Sequence, residues 1–227
     1  MKKLLFISFL LALVSCEPEE SSGVYKPISI GTQGRIDVIM PDLLWNGRLG
    51  EIVKEKVAPL IDYYPNEEYL FDLAHSSKTQ FNSGSKKQKN LLEFEINSHN
   101  KIEAGLKYSS DIWAIDQAMV KIIGKTQQDL YDIFMANSQE IQDHFMELEI
   151  KRMKVNLLRS KNHVSEKELL LKHNLSVTVP KDMVLSINNK HFAAFQQKRL
   201  VSEKNTTAGD LQQFLIIYDY PYTDKSQ

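Results

Sequence analysis

The chain has 227 residues, 28 Lys plus Arg against 29 Asp plus Glu, a net charge of −1 and 42% hydrophobic residues. That balance excludes a global attraction to nucleic acid, and the length allows one generous domain or two compact lobes. A single cysteine, Cys16, excludes an intrachain disulfide and a cysteine-based metal site.

Lys2 and Lys3 precede an apolar run of eleven residues, Leu4–Val14, and then Ser15 and Cys16. The run is too short for the ~20 residues that cross hydrocarbon, but it matches the short core of an export signal. Leu13-Val14-Ser15-Cys16 looks like a lipobox, with cleavage before the cysteine and a diacylglyceryl group on its thiol. The expectation is a signal peptide over 1–15 and lipidation at Cys16, with palmitate among its chains. Residues 16–30 begin with the acidic, apolar-free stretch Glu17–Gly23 and are expected to form a disordered tether. Such an address is the outer membrane, with the body facing the periplasm or the cell surface.

A first lobe is predicted over 31–125. Arg35–Met40 alternates as a strand, Asp42 offers a helix cap, and Leu49, Ile52, Val53, Val57 and Leu60 recur at helical spacing until Tyr63-Tyr64-Pro65-Asn66. Tyr69–Leu73 and Leu91–Ile96 read as short strands. Asp111–Ile123, apolar on both faces, reads as a central strand, with Asp116 and Gln117 interrupting it.

Thr126-Gln127-Gln128-Asp129 has a capping-box pattern and opens a helix expected over 126–161, about 50 Å long if unbroken. Leu130, Phe134, Ile141, Phe145, Leu148 and Val155 share one face. Met146, Ile150, Met153 and Leu157 form a second stripe, so the back half is expected to be covered on both sides. A second lobe is predicted over 162–222, with a tail over 223–227. Ser165-Glu166-Lys167-Glu168 reads as another capping box, before Leu169, Leu170 and Leu171. Val177–Val179, Met183–Ile187, Phe192–Phe195 and Leu211–Tyr220 read as strands. The fold class expected is α+β: mixed or antiparallel sheet lobes packed on a long central helix.

Gly31-x-x-Gly34-Arg35-Ile36, Trp45-x-Gly47-x-Leu49-Gly50-Glu51 and Asp111-Ile112-Trp113-Ala114 follow one another, then Val177-x-Val179-Pro180 and Ile217–Tyr222. With the lipobox, this series resembles a family of envelope lipoproteins from Bacteroidota catalogued only as a domain of unknown function. The resemblance runs from Gly31 to Tyr222. It implies a membrane-bound envelope protein, brings no catalytic residues, and implies either a short paralogue or a truncated copy here, since members continue past the Tyr-Pro-Tyr segment.

Candidate chemistry is sparse. Ser83-Gly84-Ser85-Lys86 matches S-x-x-K but lies in a polar loop without its companion motifs. Glu140, His144 and Glu147 flank one side of the long helix, where a solvated, salt-bridged face explains them better than a metal. Asp116 is the acid with most promise, because a buried carboxylate needs a partner or shifts its pKa. Trp45, Tyr218, Tyr220 and Tyr222 could stack on a glycan or anchor a protein. No phosphate loop, dinucleotide fingerprint, nucleophile elbow or C-x-x-C pair occurs. The reading is a lipid-anchored, non-catalytic binding or assembly module, without cofactor or metal. The alternatives are an envelope-polymer hydrolase using Asp116 and a structural subunit of an envelope complex.

Overall fold

The structure is a computed structural model that describes residues 25–63, 67–98, 103–201 and 209–221. Cys16, most of the tether, Pro65 and Tyr222 lie outside the described residues, and with them the lipobox reading. The fold is α+β. It divides into two compact units: one of residues 1–54 and 71–136, the other of 55–70 and 137–227.

In the first unit, β1 (Arg35–Ile39) leads through α1 (Asp42–Trp45) into α2 (Arg48–Val57), whose last residues belong to the second unit. Then come β2 (Asp72–Ser76), β3 (Asn90–Ile96), β4 (Gly105–Ser110) and β5 (Ala118–Gly124). The sheet order is β2-β1-β3-β5-β4, parallel except for β4 against β5. One face has an apolar centre, with Val38, Leu92, Phe94, Val120 and Ile122 buried on it. The opening turns of α3 (Gln127–Arg159) pack there, with the rings of Phe94 and Phe134 at 5.7 Å. The other face has a smaller core of Ile39, Leu91 and Met119, roofed by Phe81, Ile112 and Trp113 from loops.

Gly50 shows why Trp45-x-Gly47-x-x-Gly50 is written as it is. A Cβ on Gly50 would stand 1.8 Å from the carbonyl oxygen of Trp45. Only glycine lets α2 start so close behind α1.

The capping box of the long helix is formed. The Asp129 amide donates to Thr126 Oγ1 at 3.1 Å, and the amides of Lys125 and Thr126 donate to Asp129 Oδ2 at 2.9 and 3.1 Å. The Thr126 side chain, and then the Lys125 amide, favours the charged form and holds the Asp129 carboxyl below its usual pKa.

Four sequence expectations change. Residues 111–117 are a loop, since Asp111 and Asp116 have φ of 52° and 64°, which no strand tolerates. The strand is only β5, which is buried on both faces as expected, and the neighbour that covers its outer edge, β4, went unread. The Tyr69–Leu73 strand lies later, at Asp72–Ser76, and the first helix ends at Val57 rather than near Tyr63. Asp42 makes no cap bond; it is the first helical residue after Pro41.

In the second unit, Leu60 bridges Tyr69, and Gln142 of α3 donates to the Lys56 carbonyl at 2.8 Å. Ile141 and Phe145 are fully buried, but Ile150, Met153, Val155 and Leu158 are exposed. The expected cover on both sides of the helix's back half is therefore missing among the described residues. α4 (His163–His173) is capped three residues earlier than predicted, because Asn162 rather than Ser165 is the cap and accepts from the Ser165 amide at 3.2 Å. β6 (Val184–Asn188), β7 (Phe192–Val201) and β8 (Gly209–Tyr218) form an antiparallel meander. Val177–Val179 forms no strand; Val179 instead joins Leu169, Ala193 and Phe195 in the core between α4 and the sheet.

Candidate functional site

The sequence-selected residues separate into three places. Gln117 is 2% exposed and fully occupied. Its Oε1 accepts from the Trp113 amide at 3.0 Å, and its Nε2 donates to the carbonyls of Lys86 and Gln88 at 2.6 and 2.7 Å. The side chain clasps two loops, with both Nε2 hydrogens and Oε1 engaged by backbone. Asp116 beside it is exposed in the left-handed region, and its carbonyl accepts from the Ser29 hydroxyl. The burial that made it a candidate acid–base group is absent.

Trp45 is enclosed by neighbours. Its ring stacks on His75 at 4.7 Å and 4°, and the Lys54 ammonium lies 4.4 Å from the ring centroid. His75 Nε2 is 3.0 Å from the Met40 carbonyl oxygen and 3.9 Å from Asp42 Oδ1. The histidine, at the end of β2, was missed because Leu73-Ala74-His75-Ser76 carries no motif. This cluster uses the Trp45 face for a structural stack rather than presenting it to solvent.

The remaining motif residues do not converge. The Lys86 ammonium sits 5.7 Å from the Trp113 centroid, an occupation that suits a structural cation better than a base. Among the described residues no three His, Cys, Asp or Glu side chains are placed to hold one metal ion, Glu140, His144 and Glu147 included. Burial pulls the His144 pKa below its ordinary value, against the opposing pull of Glu147 and Glu140.

Tyr218 and Tyr220 do project outward. They are 68% and 69% exposed and stack on one another at 6.3 Å and 18°. Register explains the surface they join. Leu185, Phe195 and Leu215 point to the α4 core, so the alternate residues point away from it. One outward row is Val184, Gln196 and Phe214; the next is Ile187, Ala194 and Ile216; Phe192 and Tyr218 form the third. Phe214 and Ile216 are 58% and 56% exposed, and Val184 and Ile187 are exposed as well. A His191–Asp219 contact of 3.0 Å stands at the rim. An antiparallel sheet ordinarily turns polar residues to water on its free face. Here Val184, Ile187, Phe214 and Ile216 make much of that face apolar, with Gln196 among them and Lys198 and Gln212 in the row beyond.

Beside it, a groove of about 520 Å³ runs between α4 and the unpaired edge of β6, past Val164, Glu168 and Lys181. Asn188 closes one end, donating to Glu168 Oε2 at 2.9 Å and meeting His173 Nε2 at 2.9 Å. Sequence reasoning found Tyr218 and Tyr220 but not Phe214, Ile216, Val184 and Ile187. Their outward direction depends on the register of three strands.

A family profile described as a domain of unknown function (DUF8532) matches residues 29–158, more than half of the chain. The chain belongs to that family. The match ends near the close of the long helix, before Val177–Pro180 and Ile217–Tyr222. No curated protein matches the chain. No solved structure matches it either.

Proposed function

We propose that this member of the DUF8532 family is a lipid-anchored envelope protein that binds a protein partner on the outward face of β6, β7 and β8. It is an assembly module of the outer membrane, held by an acylated Cys16 and facing the periplasm or the cell surface. The kinship with Bacteroidota envelope lipoproteins belongs to the same reading. The observation that carries it is the exposed row of Phe214, Ile216 and Tyr218 on a sheet face that ordinarily turns polar. A protein suits this face better than a glycan. Sugars stack on tyrosine but need several polar neighbours for their hydroxyls, and among Val184, Ile187, Phe214 and Ile216 only Gln196 offers one.

A photo-crosslinking residue at Ile216, expressed in the native envelope, tests the partner. A discrete adduct from position 216, absent from the exposed Leu171 of α4, is the expected result. No adduct, or the same products from both positions, defeats it; an adduct of twice the chain's mass transfers the reading to a structural homomeric subunit. Metabolic labelling with a palmitate analogue tests the anchor: Cys16→Ser is expected to abolish the label, and unchanged labelling defeats the anchor.

A further inference from the structure

We propose that the strand-start edge of the first unit's sheet is a membrane-facing surface that rests on an anionic phospholipid bilayer. The inference rests on the lipid-anchored reading for the nearness of a membrane, but on its own residues for the contact.

Three segments meet at that edge: Lys26–Ile30 before β1, Lys86–Lys89 before β3, and Asp111–Gln117 before β5. Residue 28 bridges Ile115 and residue 30 bridges Gln88, both in parallel. The Ser29 amide donates to the Ile115 carbonyl at 2.9 Å, the Ile115 amide to Pro27 at 2.8 Å, and the Lys89 amide to Ile30 at 3.0 Å. The segment is thus pinned on both sides. Ser29 points inward at 6% exposure, so Ile28 and Ile30 point outward, and bridge partners share a side. Ile28 is 72% exposed, and Ile30 and Ile115 are about half exposed beside the exposed Tyr25.

Charge completes the pattern. Lys26, Lys86, Lys87 and Lys89 lie on these segments against the acids Asp111 and Asp116, an excess of two positive charges in a chain of net charge −1. Lys26 is directed at the Asp111 carbonyl. Apolar side chains flanked by lysines are the composition that sits at a headgroup boundary, and anionic lipid attracts such a cluster by ~1 kcal/mol per lysine. The chain's course agrees. Tyr25 lies nine residues beyond Cys16 in the sequence, a span of at most about 30 Å. A bilayer holding the lipid is within reach of this edge.

The test is covalent lysine labelling of the full chain on vesicles of phosphatidylcholine with or without phosphatidylglycerol. Lys87 and Lys89 are expected to be shielded on the anionic vesicles, while Lys125, at the opposite end of β5, labels as it does in detergent. Raised salt reverses the shielding, and Lys87→Glu weakens it by roughly fivefold per unit of charge changed. Ile115→Asp, an exposed loop change that leaves the core intact, lowers it independently. Equal labelling of Lys87 on neutral and anionic vesicles, or shielding of Lys125 equal to that of Lys87, overturns the proposal even if the chain stays vesicle-bound. That outcome leaves the anchor standing, whereas loss of vesicle binding altogether, with no palmitate label on Cys16, removes both.

Discussion

Gln117 shows how one side chain can mimic a site residue. A buried polar group inside an apolar run suggests function, yet each of its hydrogen-bonding atoms has a backbone partner. Gln117→Leu would orphan two part-buried carbonyls and an amide. It is expected to destabilise the protein by about 2–3 kcal/mol in denaturant melts, and a change under about 0.5 kcal/mol would contradict the clasp. Glu95 makes a different case. It lies between Lys121 and Lys78, with contacts of 2.7 and 2.6 Å, while the two lysines also reach Glu93. The hydrogen bond from Lys121, then that from Lys78, holds its carboxyl below the usual range. A depressed folded pKa gives stability that is present at neutral pH and lost as the pH falls through that value. Glu95→Gln is therefore expected to cost about 1–2 kcal/mol near pH 7, a difference that shrinks as the pH drops from 5 to 3. A difference constant across that range would mean that the loss is steric.

At the scale of elements, the capping box of α3 and the core strand β5 follow rules that act within a few residues, and both were legible. Thr126 and Asp129 satisfy orphan amides four positions apart, so no distant residue was needed. The start of α4 was misread because two capping residues compete there. Asn162 wins over Ser165, and the Asn162 Nδ2 also donates to the Met183 carbonyl at 3.2 Å, which ties the cap to the sheet. The turn between α1 and α2 carries its own prediction. Gly50→Ala places a methyl against a backbone oxygen that no rotamer can move, so the mutant is expected to melt about 5–10 °C lower and to expose more Trp45 fluorescence. A melting point equal to the parent's would show that the two helices separate freely.

For the whole molecule, near-neutral charge has a measurable consequence. With a net charge of −1 there is little self-repulsion for salt to screen, and isolated exposed ion pairs contribute little. The melting temperature is expected to move by less than about 3 °C between low and physiological salt, even as raised salt strips the proposed membrane contact. A larger drop would assign the stability to charge networks such as that around Glu95. Global neutrality and a local basic edge coexist because summed charge does not record where the charges lie.

By itself the sequence determined the α+β class, the long helix with its cap, the buried character of β5 and an N-terminus resembling a lipoprotein signal. All of these rest on local periodicity, capping chemistry or a contiguous motif. Only the tertiary structure decided that Asp116 is exposed, that Gln117 is spent on loop carbonyls, that Trp45 is closed by His75, and that Phe214 and Ile216 join Tyr218 on an open face. Those outcomes depend on strand register and on which loops meet across dozens of residues, and a one-residue change of register would turn each side chain to the opposite face.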